Sequence, residues 1–170
     1  MSIKIIGAFL IIAGCGGVGF SMAAAHRREE KSLRQLIGAL DYMGCELQYH
    51  LTPLPELCRS AAAEAGGSVS QVLLCLASEL ENQIAPDAAS CMNAALAKTP
   101  KLTHRVRKSF ARLGTSLGRF DLPGQLKGLD SVRQMCRQDL EELSKDRDLR
   151  LRNYQTLGLC AGSALAVLFL

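Results

Sequence analysis

Residues 33–57 read LRQLIGALDYMGCELQYHLTPLPEL, and the spacing of the apolar positions in this stretch decides the fold. Leu33, Leu36, Ile37, Leu40, Met43, Leu47 and Leu51 recur every three or four residues. That interval stacks them on one face of an α-helix and predicts a buried apolar stripe. The pattern breaks at Thr52-Pro53-Leu54-Pro55-Glu56. Thr52 is suited to cap a second helix, with Pro53 in its first position, where no amide hydrogen is needed. An amphipathic helix closed by a proline turn starts a bundle of antiparallel helices.

The same grammar continues toward the C-terminus. The second helix is alanine-rich and ends at Gly66-Gly67, after which Ser68 and Gln71 make a capping-box pattern. The third helix carries the stripe Val69, Val72, Leu73, Leu76, Leu80 and Ile84. Pro86-Asp87 opens a short fourth helix that stops before Thr99-Pro100, and Val106, Phe110, Leu113 and Leu117 define a fifth. Gly118 is placed to end it and Asp121 to cap a sixth. The stripe of that sixth helix is Leu122, Leu126, Leu129, Val132, Met135 or Cys136, Leu140 and Leu143, spaced like a coiled-coil seam. Helix formers dominate and β-branched runs are scarce outside the N-terminus. The expected fold class is all-α: an antiparallel six-helix bundle flanked by N- and C-terminal transmembrane helices.

The flanks follow from charge. Residues 5–25 carry none, and 21 residues at 1.5 Å each make about 31 Å of helix, close to the hydrocarbon thickness of a bilayer. Residues 154–170 are also uncharged, near the lower length limit for a span. The expected organisation is therefore a span within 1–25, a bundle over 26–153 and a span over 154–170. Arg27, Arg28, Lys31 and Arg34 follow the first apolar stretch, and Lys145, Arg147, Arg150 and Arg152 precede the second. Both biases put the central domain in the cytoplasm and both termini outside. The N-terminal stretch has competing readings: Ile12-Ala13-Gly14-Cys15 resembles a lipoprotein cleavage box, and Ala23-Ala24-Ala25 an ordinary signal-peptidase site. The positive charge stands after the apolar run instead of before it, which favours a retained span. Within the two spans Ala13, Gly17 and Ser21, and Gly158, Gly162 and Ala166, form small-residue ridges of the kind that let membrane helices pack closely.

Chemistry is sparse. The net charge is +4, Trp is absent and aromatics make up 5%, so neither basic excess nor base-stacking residues point to nucleic acid. The seven cysteines (15, 45, 58, 75, 91, 136 and 160) form no CxxC pair; they read as small apolar residues in a reducing compartment. His26, His50 and His104 have no ligand partners at metal spacing. Glu79, Glu81, Asp139, Glu141, Glu142, Asp146 and Asp148 interleave with Lys and Arg, as on solvated faces. No phosphate-binding glycine loop and no nucleophile elbow occurs. The expectation is a protein that is not an enzyme, with no cofactor, metal or small-molecule substrate. Three groups are candidates for contacts: a basic face on the fifth helix (Arg105, Arg107, Lys108, Arg112, Arg119); Asp121 and Gln125, which capping also explains; and Glu46 and Tyr49 with Pro53 and Pro55 at the first turn.

Two stretches carry a resemblance. LDYMGCELQYHLTPLPELC (40–58) and LGTSLGRFDLPGQLKGL (113–129), with YQTLGLCAG (154–162) opening the last apolar stretch, resemble the stage III sporulation protein AB family of endospore-forming bacteria. Gly44-Cys45 before Glu46 departs from the larger residues of that family and bears on local packing. The resemblance implies a cytoplasmic domain similar to the platform protein of type II secretion and type IV pilus systems. It implies a place in a channel-like apparatus between mother cell and forespore. The implied partners are the secretion-type ATPase, stage III sporulation protein AA, and the other membrane proteins of the same operon; any nucleotide chemistry belongs to that ATPase. Two other readings stay open: a lipidated extracytoplasmic binding protein anchored at Cys15, and a platform subunit of a general secretion or pilus system. Platforms of the latter kind carry two copies of the bundle and more spans.

Overall fold

The structure, a computed structural model, describes the backbone of residues 2–82, 87–118 and 121–169, and the side chains of 24–82, 87–118 and 121–145. Among the described residues there are six helices: α1 (Ser2–Tyr49), α2 (Leu54–Glu64), α3 (Gly67–Asn82), α4 (Ala88–Lys98), α5 (His104–Ser116) and α6 (Leu122–Phe169). The first and last have 48 residues each. They run unbroken through positions 25 and 153, so the expected domain borders fall inside helices. Among the described residues no helix is long and apolar enough to cross a membrane. The side chains of the expected spans lie outside the described residues, except at positions 24 and 25.

α1 and α6 form the long pair of the bundle, and their direction follows from two contacts at different heights. Gln48 shares a groove with Leu126, and Arg133 donates to Asp41 at 2.8 Å. Numbers rise on one helix as they fall on the other, so the pair is antiparallel. Residue 24, where α1 enters the described bundle, and residue 145, where the described part of α6 ends, therefore lie at one end. The turn after α1 and the start of α6 lie at the other, the distal end. The short helices fill in against this pair: α2 and α3 form one hairpin, α4 and α5 another, and α5 packs against α1 and α6.

The apolar stripes meet in one core. Leu33, Leu36, Met43, Leu57, Leu73, Leu76, Met92, Phe110 and Leu113 are wholly buried. In α6 the seam uses Cys136, which is buried, and Met135 lies at its half-exposed margin. Leu51 departs from the expected stripe. α1 ends at Tyr49, and Leu51 takes a left-handed φ of 52° with 69% of its surface exposed. Pro53 pushes the preceding Thr52 toward extended backbone, so the chain must reverse before it, at Leu51.

Capping follows the sequence at two of four helices. Asp87 accepts from the Ser90 amide at 3.0 Å and Asp121 from the Gly124 amide at 3.2 Å, each satisfying an otherwise orphan donor. At α2 the first helical hydrogen bond runs from the Leu57 amide to the Pro53 carbonyl, so Pro53 itself caps and Pro55 sits in the first turn. At α3 the Ser70 amide donates to the Gly66 carbonyl, so the helix starts ahead of Ser68 and that capping box is not used.

The stretch 113–129 is a close-packing signature. A Cβ on Gly114 would stand 2.6 Å from Met92 Cβ on α4, and one on Gly128 would collide with Ser116 on α5. Gly118 takes φ 70°, which turns the chain from α5 toward α6. Gly38, on the exposed side of α1, is different: a Cβ there meets nothing within 4 Å. Gly38→Ala is therefore expected to raise stability by about 0.5–1 kcal/mol, the helix-propensity difference alone. Thermal unfolding of the detergent-solubilised chain checks this, and a lower midpoint would contradict the open environment.

Candidate interaction surfaces

The distal turn is braced from α1. Glu46 accepts a hydrogen bond from the Thr52 hydroxyl at 2.9 Å and lies 3.4 Å from His50 Nδ1. Tyr42, one helical turn earlier, also reaches Glu46. Desolvation, and then this carboxylate, raise the phenol pKa above its usual value. Thus Thr52 braces the turn without capping α2, and the Tyr42 phenol lies near the same carboxylate. The i, i+4 spacing of 42 and 46 is the signal that could have found it. Tyr49 and Leu51 stand exposed, at 74% and 69%, on this turn. Pro53 is exposed and Pro55 half-buried.

The five basic residues assigned to α5 do not share one face. At 100° per residue, Arg105 and Arg107 flank opposite edges of the stripe formed by Val106, Phe110 and Leu113. Arg105 donates to Glu142 at 2.9 Å and to Asp139 at 3.3 Å, and the Glu142 bond raises its already high pKa. Arg107 donates to the Thr99 carbonyl at 3.2 Å. Both arginines therefore tie helices together. Lys108 and Arg112 point to solvent, and Arg119 lies outside the described residues. Asp121 is spent on its cap, and the half-buried Gln125 donates its amide to the Asp121 carbonyl at 2.9 Å. Ala13, Gly17, Ser21, Gly158, Gly162 and Ala166 lie on α1 and α6, and their side chains lie outside the described residues.

Glu79 corrects the expectation of a solvated acid. It is buried to 5% exposure and accepts from Lys98 on α4, and that hydrogen bond raises the Lys98 pKa above its usual value. Glu79 falls three residues after Leu76 on the buried stripe of α3, so its position was legible. Its composition class hid it. Glu81 pairs with Arg59 across α2 and α3. Such exposed pairs fix register more than they add stability.

Between α1 and α6 runs a groove of about 220 Å³ lined by Leu40, Asp41, Gly44, Cys45, Leu126 and Arg133, among others. Gly44-Cys45 leaves it open, since larger side chains there would fill it. Arg133 spans it, donating to Asp41 and Asp130, and the Asp41 bond raises its pKa further. Cys45 is exposed, whereas Cys58, Cys91 and Cys136 are buried and Cys75 is half-buried; none of the five is in a disulfide. Burial pushes the Cys58 thiol up to about 12 and raises Cys136 as well, so neither supplies thiolate near neutrality. Among the described residues no three His, Cys, Asp or Glu side chains gather as metal ligands.

Comparison with known proteins identifies the family of this chain. A family model for stage III sporulation protein AB matches residues 4–170. A solved structure of a stage III sporulation protein AB is similar in fold, with a TM-score of 0.64 and 20% identity, over 72% of this chain and 98% of that one. A search of curated proteins gives no match. With the family model covering nearly every residue, the chain belongs to the stage III sporulation protein AB family, and its role is in sporulation.

Proposed function

We propose that this chain is a non-enzymatic membrane platform in a secretion-like channel complex between mother cell and forespore. Residues 5–25 and 154–170 anchor it, and the bundle stands in the mother-cell cytoplasm. There it presents a rigid surface to the secretion-type ATPase, stage III sporulation protein AA, and to the neighbouring membrane proteins of the operon. The observation that carries this reading is the antiparallel pairing of α1 and α6. It brings the two long helices together at one end of the bundle, where α1 follows the uncharged residues 5–25 and α6 runs on through the charged residues 145–152 to the uncharged residues 154–170. The far end is left free for soluble partners, and the exposed Tyr49 and Leu51 on their braced turn suit that use. A left-handed leucine held on an exposed turn is the kind of local strain that clusters at functional sites.

Cys45 supplies the test, because it is exposed while Cys136 is shielded. In sporulating cells a membrane-impermeant maleimide is expected to modify Cys45 only after permeabilisation, with Cys45→Ser as the control for other thiols. Modification of Cys45 in intact cells would put the bundle outside. It would then favour the lipid-anchored alternative over the platform.

A further inference from the structure

α1 is the middle helix of a layer. It packs against α2 on one side and α6 on the other, with α3 and α5 behind it. Its outer line, Lys31, Arg34, Gly38, Cys45 and Tyr49, is exposed, and among the described residues no helix of the chain covers it. The face is shallow, since a Cβ on Gly38 or Gly44 meets nothing within 4 Å.

Charge is sorted across this layer. On α2, Arg59 turns to Glu81 on α3, while Ser60 lies against the Tyr42 phenol on α1. Glu56 and Glu64, one turn either side of Ser60, therefore line the edge beside α1. On α6, Cys136 and Asp139 turn to α5, and Arg133 turns to α1. The exposed Lys127, Gln134, Arg137 and Glu141 follow one another on the edge beside α1. Lys31, one turn before Gln35, which touches Gly66, leans to the α2 side.

The heights match as well. Arg133 is level with Asp41 and Leu126 with Gln48, which puts Lys127 level with Leu47, Arg137 with Ile37 and Glu141 with Leu33. The turn from Tyr49 to Leu54 and the contact of Gln35 with Gly66 put Glu56 level with Glu46 and Glu64 with Gly38. Glu56 and Lys127 thus differ in height by no more than about 3 Å, as do Glu64 and Arg137, and Lys31 and Glu141. Among the described residues none of these six has an ion-pair partner in the chain.

We propose that the α6–α1–α2 face is a self-association surface, on which a second copy of this chain docks about a two-fold axis in front of α1, along the membrane normal. The inference rests on the two-span reading above. Copies anchored in one membrane share one orientation, and a two-fold contact between them keeps every residue at its own height. It also sets the α2 edge of one copy against the α6 edge of the other. Glu56 then meets Lys127, Glu64 meets Arg137 and Lys31 meets Glu141, each twice. Tyr49 comes level with the Leu126 end of the other copy's groove, and Leu51 stays at the tip for soluble partners. Arg34, Asp41 and Asp130 are already neutralised within each copy by Glu30 and Arg133. From Lys31 to Tyr49 the face is about 27 Å tall, and three helices make it about 25 Å wide. That is about 700 Å² on each copy, close to the roughly 800 Å² of a standard interface.

The test is zero-length carbodiimide cross-linking of the full chain in carbonate-washed membranes, read by mass spectrometry of the species of doubled mass. A Glu56–Lys127 link is expected between copies, because within one chain α1 separates the two edges by about 18 Å. Lys127→Glu is expected to lower the doubled species about fivefold, and adding Glu56→Lys to restore it. Cys45, close to the axis, reacts with maleimide from separated copies and is expected to react faster in Lys127→Glu. No doubled species from a chain that stays in washed membranes would overturn the self-association and leave the spans intact. A doubled species that lacks the Glu56–Lys127 link and survives Lys127→Glu would overturn this face. Release of the chain by carbonate would overturn the two-span reading and, with it, the shared orientation.

Discussion

Phe110→Ala is expected to cost about 4 kcal/mol, the largest loss expected of any single substitution in the core, and to lower the unfolding midpoint of the bundle by about 15 °C. Phe110 is the largest of the wholly buried side chains. It sits on α5, the helix that packs against α4, α6 and α1 together. Removing the ring loses its transfer free energy and leaves a cavity that three helices would have to collapse to fill. The neighbours are poorly placed to do so. Arg105 pins α5 to α6 through Asp139 and Glu142, and Gly114 already holds α5 against α4 at backbone distance. The measurement is loss of helical circular dichroism on heating the detergent-solubilised chain, with Phe110→Leu as the volume control. The leucine variant is expected to lose less than half as much. A midpoint for the alanine variant within about 3 °C of the parent would mean that α5 does not form the centre of the bundle.

Gly114→Val is expected to cost about 3 kcal/mol and about 10 °C, from the opposite cause. At this position the space is too small. A Cβ alone would meet Met92 Cβ at 2.6 Å and Met92 Cγ at 2.9 Å, and would touch the Ala89 backbone at 3.4 Å. The flexible end of Met92 can move, but its Cβ and the α4 backbone cannot without separating the helices. Valine adds two methyl groups at that contact and the χ1 restriction of a branched side chain. The informative comparison is Gly38→Ala, because both glycines stand inside helices and propensity alone would make both substitutions favourable. Opposite signs at the two positions would show tertiary packing overriding propensity. A stabilising Gly114→Val would mean that α4 and α5 are further apart than the structure has them.

Several elements are legible in the chain alone. The stripes on α1, α3, α5 and α6 predict burial because a helix repeats its own face every three to four residues, and that period is written in the order of residues. Asp87 and Asp121 are legible as caps because a cap satisfies donors only two or three residues away. Cys58 and Cys91 read as small apolar residues for the same local reason, since each falls on its helix's buried side. Where local signals compete, the choice is hidden. Thr52 could cap α2 or brace the turn, and Glu46, six residues back, draws its hydroxyl to the second use. Ser68 does not cap because the Ser70 amide bonds to the Gly66 carbonyl, so α3 begins at Gly67, two residues ahead of the start a Ser68 cap would give.

What the sequence by itself determined is therefore the number of helices, the face each one buries, and the motif pattern that marks the family. Only the tertiary structure decided which charged residues are structural and which remain available. Arg105 and Lys108 are alike in sequence and one turn apart. Arg105 finds Asp139 and Glu142 on a helix more than thirty residues away, while Lys108 finds no carboxylate among the described residues. Glu79 is buried because α4 brings Lys98 to cover it. The reason is range. Periodicity and caps are set within a turn or two of helix, whereas a charge takes its role from whichever helix packs opposite it, and that neighbour is fixed only when the cores of all six helices are buried together.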